Sequence, residues 1–405
     1  MRTKRRDIHY FAELLENYDT LVRGSTDKGS KFVLKEIAQA IQNANKCAST
    51  AIKQIDIKSR SIENVSQIPY YPDIQSSYFV ARELRHVISS EAYGEWQCCY
   101  VIKMNDVKLQ VNIQIVGVSL RNKSENEDWA TKMITNILQI VFLMINIGGV
   151  GIAKELNVCY FDVDQPKLEP IKNQPYEPLH INSAYSTVYT TKPDIIIFRR
   201  EEWRKVLIHE LIHAFGIGLE SHSVVMIDKH MHSSFNLNID YNPIETYAES
   251  WARILITCLT AFSCAGGNKK SFLEYAIIFL DLNGMYSIWN SNKVLSNWNL
   301  TYSMLLEKDE KAKNYSEKTA AFGYYVGTSL ILSDWRGFLQ LCQINNKPIV
   351  RFRGGYRPIA MYSTFLLSRS KSEQYKILAG SLLHEKKLLK LNGIKMALFN
   401  GECHW

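Results

Sequence analysis

The sequence predicts an α+β fold, in which a small mixed sheet is accompanied by long helices. The clearest strand pattern is 107–115, where apolar and polar side chains alternate at a period of two residues. A second pattern is the apolar run DIIIF at 194–198, which leads directly into a helical pattern. A third is the stretch 129–146, which is expected to form a helix ended by Gly148 and Gly149.

The other elements follow from periodicity and from the residues that interrupt it. The chain before residue 95 is expected to be mainly helical, because apolar residues recur at helical spacing over 8–22 and 32–51. Residues 99–116 are expected to form a β-hairpin around a turn at Asn105 and Asp106. The middle of the chain is expected to have strands at 158–161 and within 180–189, helices at 200–216 and 243–265, and a polar loop at 218–241.

The remaining third of the chain is expected to be mostly helical, with helices near 270–283, 316–332 and 373–391. The stretch 290–299 is rich in Asn and Ser and is the expected boundary before this region. The sequence therefore predicts a helical N-terminal region (1–95), a central catalytic domain (96–290) and a helical C-terminal region (291–405).

Composition excludes several classes of protein. The chain has 405 residues, of which 46% are hydrophobic and 22% charged, so a fibrous or largely disordered protein is excluded. The formal charge of +8 permits attraction to nucleic acid but does not indicate it. The longest apolar stretch is interrupted by polar residues, so we expect no membrane span. The eight cysteines have no paired spacing and no signal peptide is recognisable, which favours a cytoplasmic protein with reduced thiols.

One motif carries chemistry. The segment VLIHELIHAFG at 206–216 contains His209 and His213 four residues apart, on one face of a helix, in the pattern HExxH. Two neutral imidazoles at this spacing can bind one Zn²⁺ ion. Glu210 stands beside the first histidine and is the candidate general base, which takes a proton from water. The alternative is a helix with two core histidines and an ion pair, although burial of such groups is costly in a helix that is otherwise apolar.

A catalytic zinc site needs a third protein ligand. The segment NPIETYAESWARIL begins at Asn242, a good N-cap, and contains Glu245 and Glu249 four residues apart. One carboxylate can bind the metal while the other supports a ligand histidine, and we favour Glu245 over Glu249 as the ligand. Glu245 could instead belong to a capping box, and Glu249 could form a surface pair with Arg253.

Along the helix that carries the two glutamates, successive side chains are rotated by about 100°. This placement assigns a solvent-exposed face to a set of polar residues, namely Thr246, Ser250, Arg253, Thr257 and Thr260. It assigns both glutamates to an apolar face that suits packing around an ion. His222, His230 and His232 remain alternative ligands, whereas the longer pattern HExxHxxGxxH is excluded because position 219 is leucine.

Two further roles are expected near the metal. A developing oxyanion needs a hydrogen-bond donor, for which Tyr241 is the first candidate and His232 the second. Tyr247 points away from Glu245 around the helix and is expected in the core. The polar stretch 183–188 is a candidate sheet edge for binding an extended substrate, with an ordinary loop as the alternative.

The combination of HExxH with a following ETYAE helix resembles the gluzincin group of zinc metallopeptidases. The stretch IIIFRREEWRKVLIHELIHAFG is also similar to predicted metallopeptidases encoded by large nucleocytoplasmic DNA viruses. The resemblance covers roughly residues 180–260. It implies a zincin-like core made of a small mixed sheet, an active-site helix and a glutamate helix. It also implies Zn²⁺ held by His209, His213 and Glu245, with Glu210 as base and Glu249 supporting a ligand histidine.

These observations predict a zinc metallopeptidase that hydrolyses a protein or peptide substrate. If the protein is viral, as the resemblance implies, the host cytoplasm or the virion is the expected location. Two alternatives stay open: a zinc carboxypeptidase or amidase of the same architecture, and a non-catalytic structural or virion protein that keeps a metal for stability. The oligomeric state is not indicated by any pattern in the sequence.

Overall fold

The structure is a computed structural model that describes residues 12–13, 16–17, 28–62, 64–90, 93–104, 106–118, 123–221, 224–235, 237–385 and 395–403. Most of the helix predicted over 8–22 lies outside these residues, as do Asn105 and His222. The predicted α+β class is confirmed by a six-stranded mixed sheet accompanied by many helices.

The sheet has the strand order β1-β2-β3-β4-β6-β5. Its strands are β1 (Lys58–Ile62), β2 (Tyr93–Met104), β3 (Val107–Val118), β4 (Glu155–Phe161), β5 (Ala184–Ser186) and β6 (Asp194–Ile197). Strands β3, β4 and β6 are parallel, whereas β1, β2 and β5 run antiparallel to their neighbours. The predicted hairpin is confirmed in β2 and β3, and the weak strand expected within 180–189 is the edge strand β5.

Fourteen α-helices of the described residues are labelled α1 to α14 in chain order. They are α1 (Lys28–Ala51), α2 (Tyr71–Ser76), α3 (Arg82–Ser90), α4 (Lys123–Gly148), α5 (Pro178–Ile181), α6 (Trp203–Ala214), α7 (Val224–Ser234), α8 (Pro243–Cys264), α9 (Lys269–Ser296), α10 (Tyr302–Leu306), α11 (Thr328–Leu332), α12 (Trp335–Asn345), α13 (Tyr356–Ser370) and α14 (Glu373–Leu383). A π-helical turn at Phe322–Gly327 precedes α11.

The chain divides into two compact units, and the sheet unit comprises residues 39–167 and 181–217. Opposite faces of its sheet are covered by different helices, because neighbouring residues of a strand point to opposite faces. On the face of Gly117, Trp129 of α4 packs closely against β3. On the face of Val116, residues of α2 and α3 join Phe161 and Phe198 in a buried apolar cluster.

One described helix, Asn126–Gly148 within α4, is long and apolar enough to cross a membrane by length and composition. Inside the protein, 67% of its apolar window is buried, which is the behaviour of a core helix. The expectation of no membrane span is consistent with this burial.

The helical unit comprises residues 168–180 and 218–405, together with the N-terminal residues up to 38. The polar loop predicted at 218–241 is wrong, because this segment contains α7. The segment is polar overall, but its buried side chains Ile227, Met231 and Ser234 recur at spacings of four and three residues. This spacing is typical of a helix with one buried face. The stretch 290–296 is the end of α9, and Asn290 in it is buried and donates to the carbonyl of Lys395.

Two expectations about side chains in the helical unit are also wrong. The proposed solvent face of α8 is buried, because the π-helical turn and α9 pack against it. Thr246 donates to the carbonyl of Gly323 at 3.2 Å and Thr257 accepts from Asn283 at 3.2 Å. The expectation that all cysteine thiols are reduced is contradicted by a disulfide between Cys264 and Cys403, which are 139 residues apart in the sequence. This disulfide ties the C-terminal segment to the end of α8.

Candidate metal centre

The HExxH motif lies on α6, which follows β6 after a short turn. Arg199, in this turn, is fully buried, and Glu202 accepts from Lys167 Nζ at 2.9 Å with both side chains at most 5% exposed. Glu202 has a left-handed φ of 59°, which reverses the chain at the start of the helix. The predicted strand-to-helix connection is therefore confirmed, and Arg199 and the side chain of Glu202 are buried in it, whereas Arg200 is exposed.

The two histidines of the motif face each other. His209 Nε2 and His213 Nε2 are 3.1 Å apart, as expected for side chains one turn apart on the same helix face. His209 is 5% exposed and Glu210 is 8% exposed, so both groups are largely removed from water. The pair therefore presents two ring nitrogens toward one point.

Glu245 of α8 completes a group of three possible metal ligands with His209 and His213. One ligand atom from each residue, a ring nitrogen or a carboxylate oxygen, lies within 4.8 Å of the others. Among the described residues, these three are the cluster of histidine, cysteine and acidic side chains that could hold a metal ion. The alternatives His230 and His232 are not members of this cluster, and His222 lies outside the described residues.

The donor set fits zinc. Two nitrogens bound at about 2.0–2.1 Å to a tetrahedral zinc ion lie roughly 3.3–3.4 Å apart. The observed separation of 3.1 Å between the two Nε2 atoms is close to this value. Two imidazoles and one carboxylate are also one of the ligand sets found in catalytic zinc sites, which leave a fourth position for water or substrate.

The start of α8 contains the N-cap half of the capping box predicted at Glu245. Asn242 is the N-cap, and its Oδ1 accepts from the backbone N–H of Glu245 at 3.3 Å, while Pro243 occupies the first turn. This capping bond uses the backbone of Glu245 and not its carboxylate. Capping and metal binding by residue 245 are therefore compatible.

Glu249 forms a buried ion pair with Arg253. Arg253 Nε donates to Glu249 Oε1 at 2.8 Å, and the two side chains are 0% and 1% exposed. The alternative of a surface pair is therefore wrong. Arg253 also donates to Ser287 Oγ at 3.0 Å and to the carbonyl of Tyr324 at 2.7 Å. The expected support of a ligand histidine by Glu249 stays a prediction.

The two tyrosines near the start of α8 are both buried. Tyr241 donates its hydroxyl to the carbonyl of Phe235 at 3.3 Å, and burial raises the pKa of its phenol. Its role as an oxyanion donor stays a prediction and would require the hydroxyl to leave this carbonyl. Tyr247 donates to the carbonyl of Val350 at 2.8 Å, as expected for a core residue.

A contact that the sequence did not indicate lies beside the motif. Ser186 of the edge strand β5 donates its hydroxyl to Glu210 Oε2 at 2.7 Å. The residues are 24 positions apart, so no local pattern connects them. The predicted sheet edge within 183–188 is confirmed, and it contacts the candidate general base.

Comparisons of this chain with protein-family models, with curated proteins and with solved structures find no match. Function is therefore inferred from the chemistry and arrangement of these side chains.

Proposed function

We propose that the protein is a zinc-dependent metallopeptidase. His209, His213 and Glu245 would hold the metal, and Glu210 would serve as the general base. The observation that carries the proposal is that one possible ligand atom from each of these three side chains lies within 4.8 Å of the others. A mixed sheet followed by the HExxH helix and a glutamate helix is also what a zincin-like catalytic core requires.

The chain's own residues supply the proton transfers of peptide hydrolysis. Zinc bound by the three ligands would polarise the substrate carbonyl and lower the pKa of a water molecule. Glu210 Oε2 accepts from Ser186, so we assign Oε1 as the atom that takes the proton from the attacking water. The same oxygen would return the proton to the leaving amine. The low exposure of Glu210 limits competing contacts with bulk water.

The position of β5 at the edge of the sheet favours a polypeptide substrate. In antiparallel pairing, hydrogen-bonded residue pairs alternate with pairs whose backbone groups point outward. Thr187 N–H donates to the carbonyl of Asp194, and Phe198 N–H donates to the carbonyl of Ser183. The backbone groups of Ala184 and Ser186 therefore point away from β6, where an extended peptide could add as a further strand.

The same residues favour this function over its alternatives. A general base between the ligand histidines has a purpose in hydrolysis and none in a structural zinc site. An edge strand can pair with the middle of an extended chain, whereas a carboxypeptidase needs a closed pocket for the chain end. An endopeptidase is therefore the preferred form of the proposal.

Metal analysis tests the ligand assignment. We expect the purified wild type to hold one zinc ion per chain, and Glu245→Ala to lose it. Glu249→Ala should weaken zinc affinity by no more than roughly 10–100-fold, as loss of a supporting residue does. Glu310→Ala, at an exposed carboxylate, is the control and should keep the metal. Zinc retained by both Glu245→Ala and Glu249→Ala would transfer the assignment to His222, His230 or His232.

A second measurement separates metal binding from catalysis. Glu210→Gln keeps a side chain of the same size but removes the base. It should retain zinc and lose roughly 10²–10⁴-fold in the rate of hydrolysis of an unstructured protein such as casein. Hydrolysis that is unchanged in Glu210→Gln would refute the assigned base.

A further inference from the structure

The geometry points to Ser186 as a positioning residue that holds Glu210 in its catalytic orientation, and this inference rests on the proposed function. The observation is the 2.7 Å hydrogen bond from Ser186 Oγ to Glu210 Oε2. A hydroxyl that donates to an ionised carboxylate forms a charge-assisted bond, which is stronger than one between neutral groups.

The position of Ser186 is determined by pairing within the sheet. It lies opposite Ile195 of β6. Pairing continues past both ends of β5, because Thr187 N–H donates to the carbonyl of Asp194 at 2.9 Å and Phe198 N–H donates to the carbonyl of Ser183 at 2.9 Å. Thr187 Oγ1 also accepts from the backbone N–H of Asp194 at 2.8 Å. The hydroxyl of Ser186 is thus presented from a backbone that is held on both sides.

Glu210 gains a defined orientation from this contact. Rotation of a glutamate carboxylate about its last bond has no sharp preference, so packing alone leaves the plane of the two oxygens poorly determined. With Oε2 engaged by Ser186, Oε1 is the oxygen available to the reacting water. Loss of the hydroxyl would leave the carboxylate in place but free to turn, which lowers the fraction of molecules in the reactive geometry.

The same residue connects the base to the substrate. Because the backbone N–H and C=O of Ser186 point away from β6, an extended polypeptide segment that adds to the edge would pair with Ser186 itself. The side chain of Ser186 would then orient the base while its backbone sets the register of the substrate. The substrate class that fits this arrangement is an unfolded or extended polypeptide rather than a small amide.

Steady-state kinetics on a casein-derived peptide test the positioning role. Ser186→Ala removes the hydroxyl and keeps the backbone, so we expect kcat to fall by about 10-fold or more, a part of the roughly 10²–10⁴-fold that a general base contributes. KM and zinc content should stay unchanged. Ser186→Thr retains a hydroxyl and should recover most of the loss. Ser89→Ala is the control, because this hydroxyl donates to a carbonyl of its own helix.

A measurement without metal tests the contact independently of activity. Urea unfolding midpoints of the metal-free protein would be compared for Ser186→Ala, Glu210→Ala and the double variant. If the two side chains interact, the double variant should unfold at nearly the midpoint of Glu210→Ala alone. Additive shifts would show that the contact contributes nothing.

The outcomes separate this inference from the proposed function. An active wild type whose kcat is unaffected by Ser186→Ala would overturn the positioning role and leave the peptidase intact. A wild type that holds zinc but hydrolyses no polypeptide would overturn the proposed function and the positioning role together. In that case non-additive unfolding midpoints would still report the hydrogen bond, which would then be structural.

Discussion

Replacement of Arg253 by methionine should destabilise the protein strongly. Arg253 and Glu249 form an ion pair inside α8, with an Nε–Oε1 distance of 2.8 Å and side chains that are 0% and 1% exposed. The guanidinium also donates to Ser287 Oγ and to the carbonyl of Tyr324, so two of its three hydrogen bonds connect α8 to α9 and to the π-helical turn. Methionine keeps much of the volume and removes all three bonds.

The size of the expected loss of stability follows from the buried groups that Arg253→Met leaves without a partner. Removing one partner of a buried ion pair leaves an uncompensated charge and costs about 3–5 kcal/mol. The carbonyl of Tyr324 also loses its donor, which places the expected loss toward the upper half of that range. The double variant Glu249→Leu/Arg253→Met removes both charges and should recover a large part of the loss, because no unpaired carboxylate is left.

Urea unfolding followed by circular dichroism gives the comparison, with the metal removed so that ligand binding does not contribute. The matched control is Lys313→Met, which breaks the exposed pair with Glu310 and should cost at most about 1 kcal/mol. A loss below about 1 kcal/mol for Arg253→Met, equal to the control, would refute the reasoning from burial.

Two further predictions concern a carboxyl group and a pair of glycines. Burial raises the pKa of Glu317 to about 7 from 4.5. The folded protein therefore binds more protons than the unfolded chain between these values, and its stability relative to Glu317→Gln should fall, on the order of 3 kcal/mol, as pH rises from 4.5 to 8. Gly284→Ala should cost about 1–3 kcal/mol, because a Cβ there would lie 2.7 Å from the carbonyl oxygen of Leu332. Gly380→Ala, in open space within α14, should stabilise by about 0.5–1 kcal/mol. Urea midpoints measure all three.

Each of these has a result that would contradict it. A wild type and a Glu317→Gln variant with parallel stability curves from pH 4.5 to 8 would show that this carboxyl has an ordinary pKa in the folded protein. Equal effects of alanine at Gly284 and Gly380 would show that the contact between α9 and the carbonyl of Leu332 is not close.

The elements that the sequence predicted well are those with a local cause. The β2–β3 hairpin follows from alternation within a dozen residues, and the start of α8 follows from Asn242 and Pro243. The facing of His209 and His213 follows from helical spacing alone. Prediction failed for α7, because its polar composition was taken as a sign of a loop although the segment is a helix with one buried face. It failed for the polar face of α8, because that face was expected in solvent although Thr246 and Thr257 are hydrogen-bonded inside the protein.

Periodicity, capping residues and the HExxH spacing were enough to specify the class of fold, the main helices and strands of the middle of the chain, and the facing pair of histidines on α6, since each depends on interactions within a few residues. The burial of the Glu249–Arg253 pair, the hydroxyl of Ser186 on Glu210 and the bond between Cys264 and Cys403 depended on packing of distant segments. No periodicity encodes which distant surfaces meet, because that choice is made by the summed burial and hydrogen bonding of the whole chain.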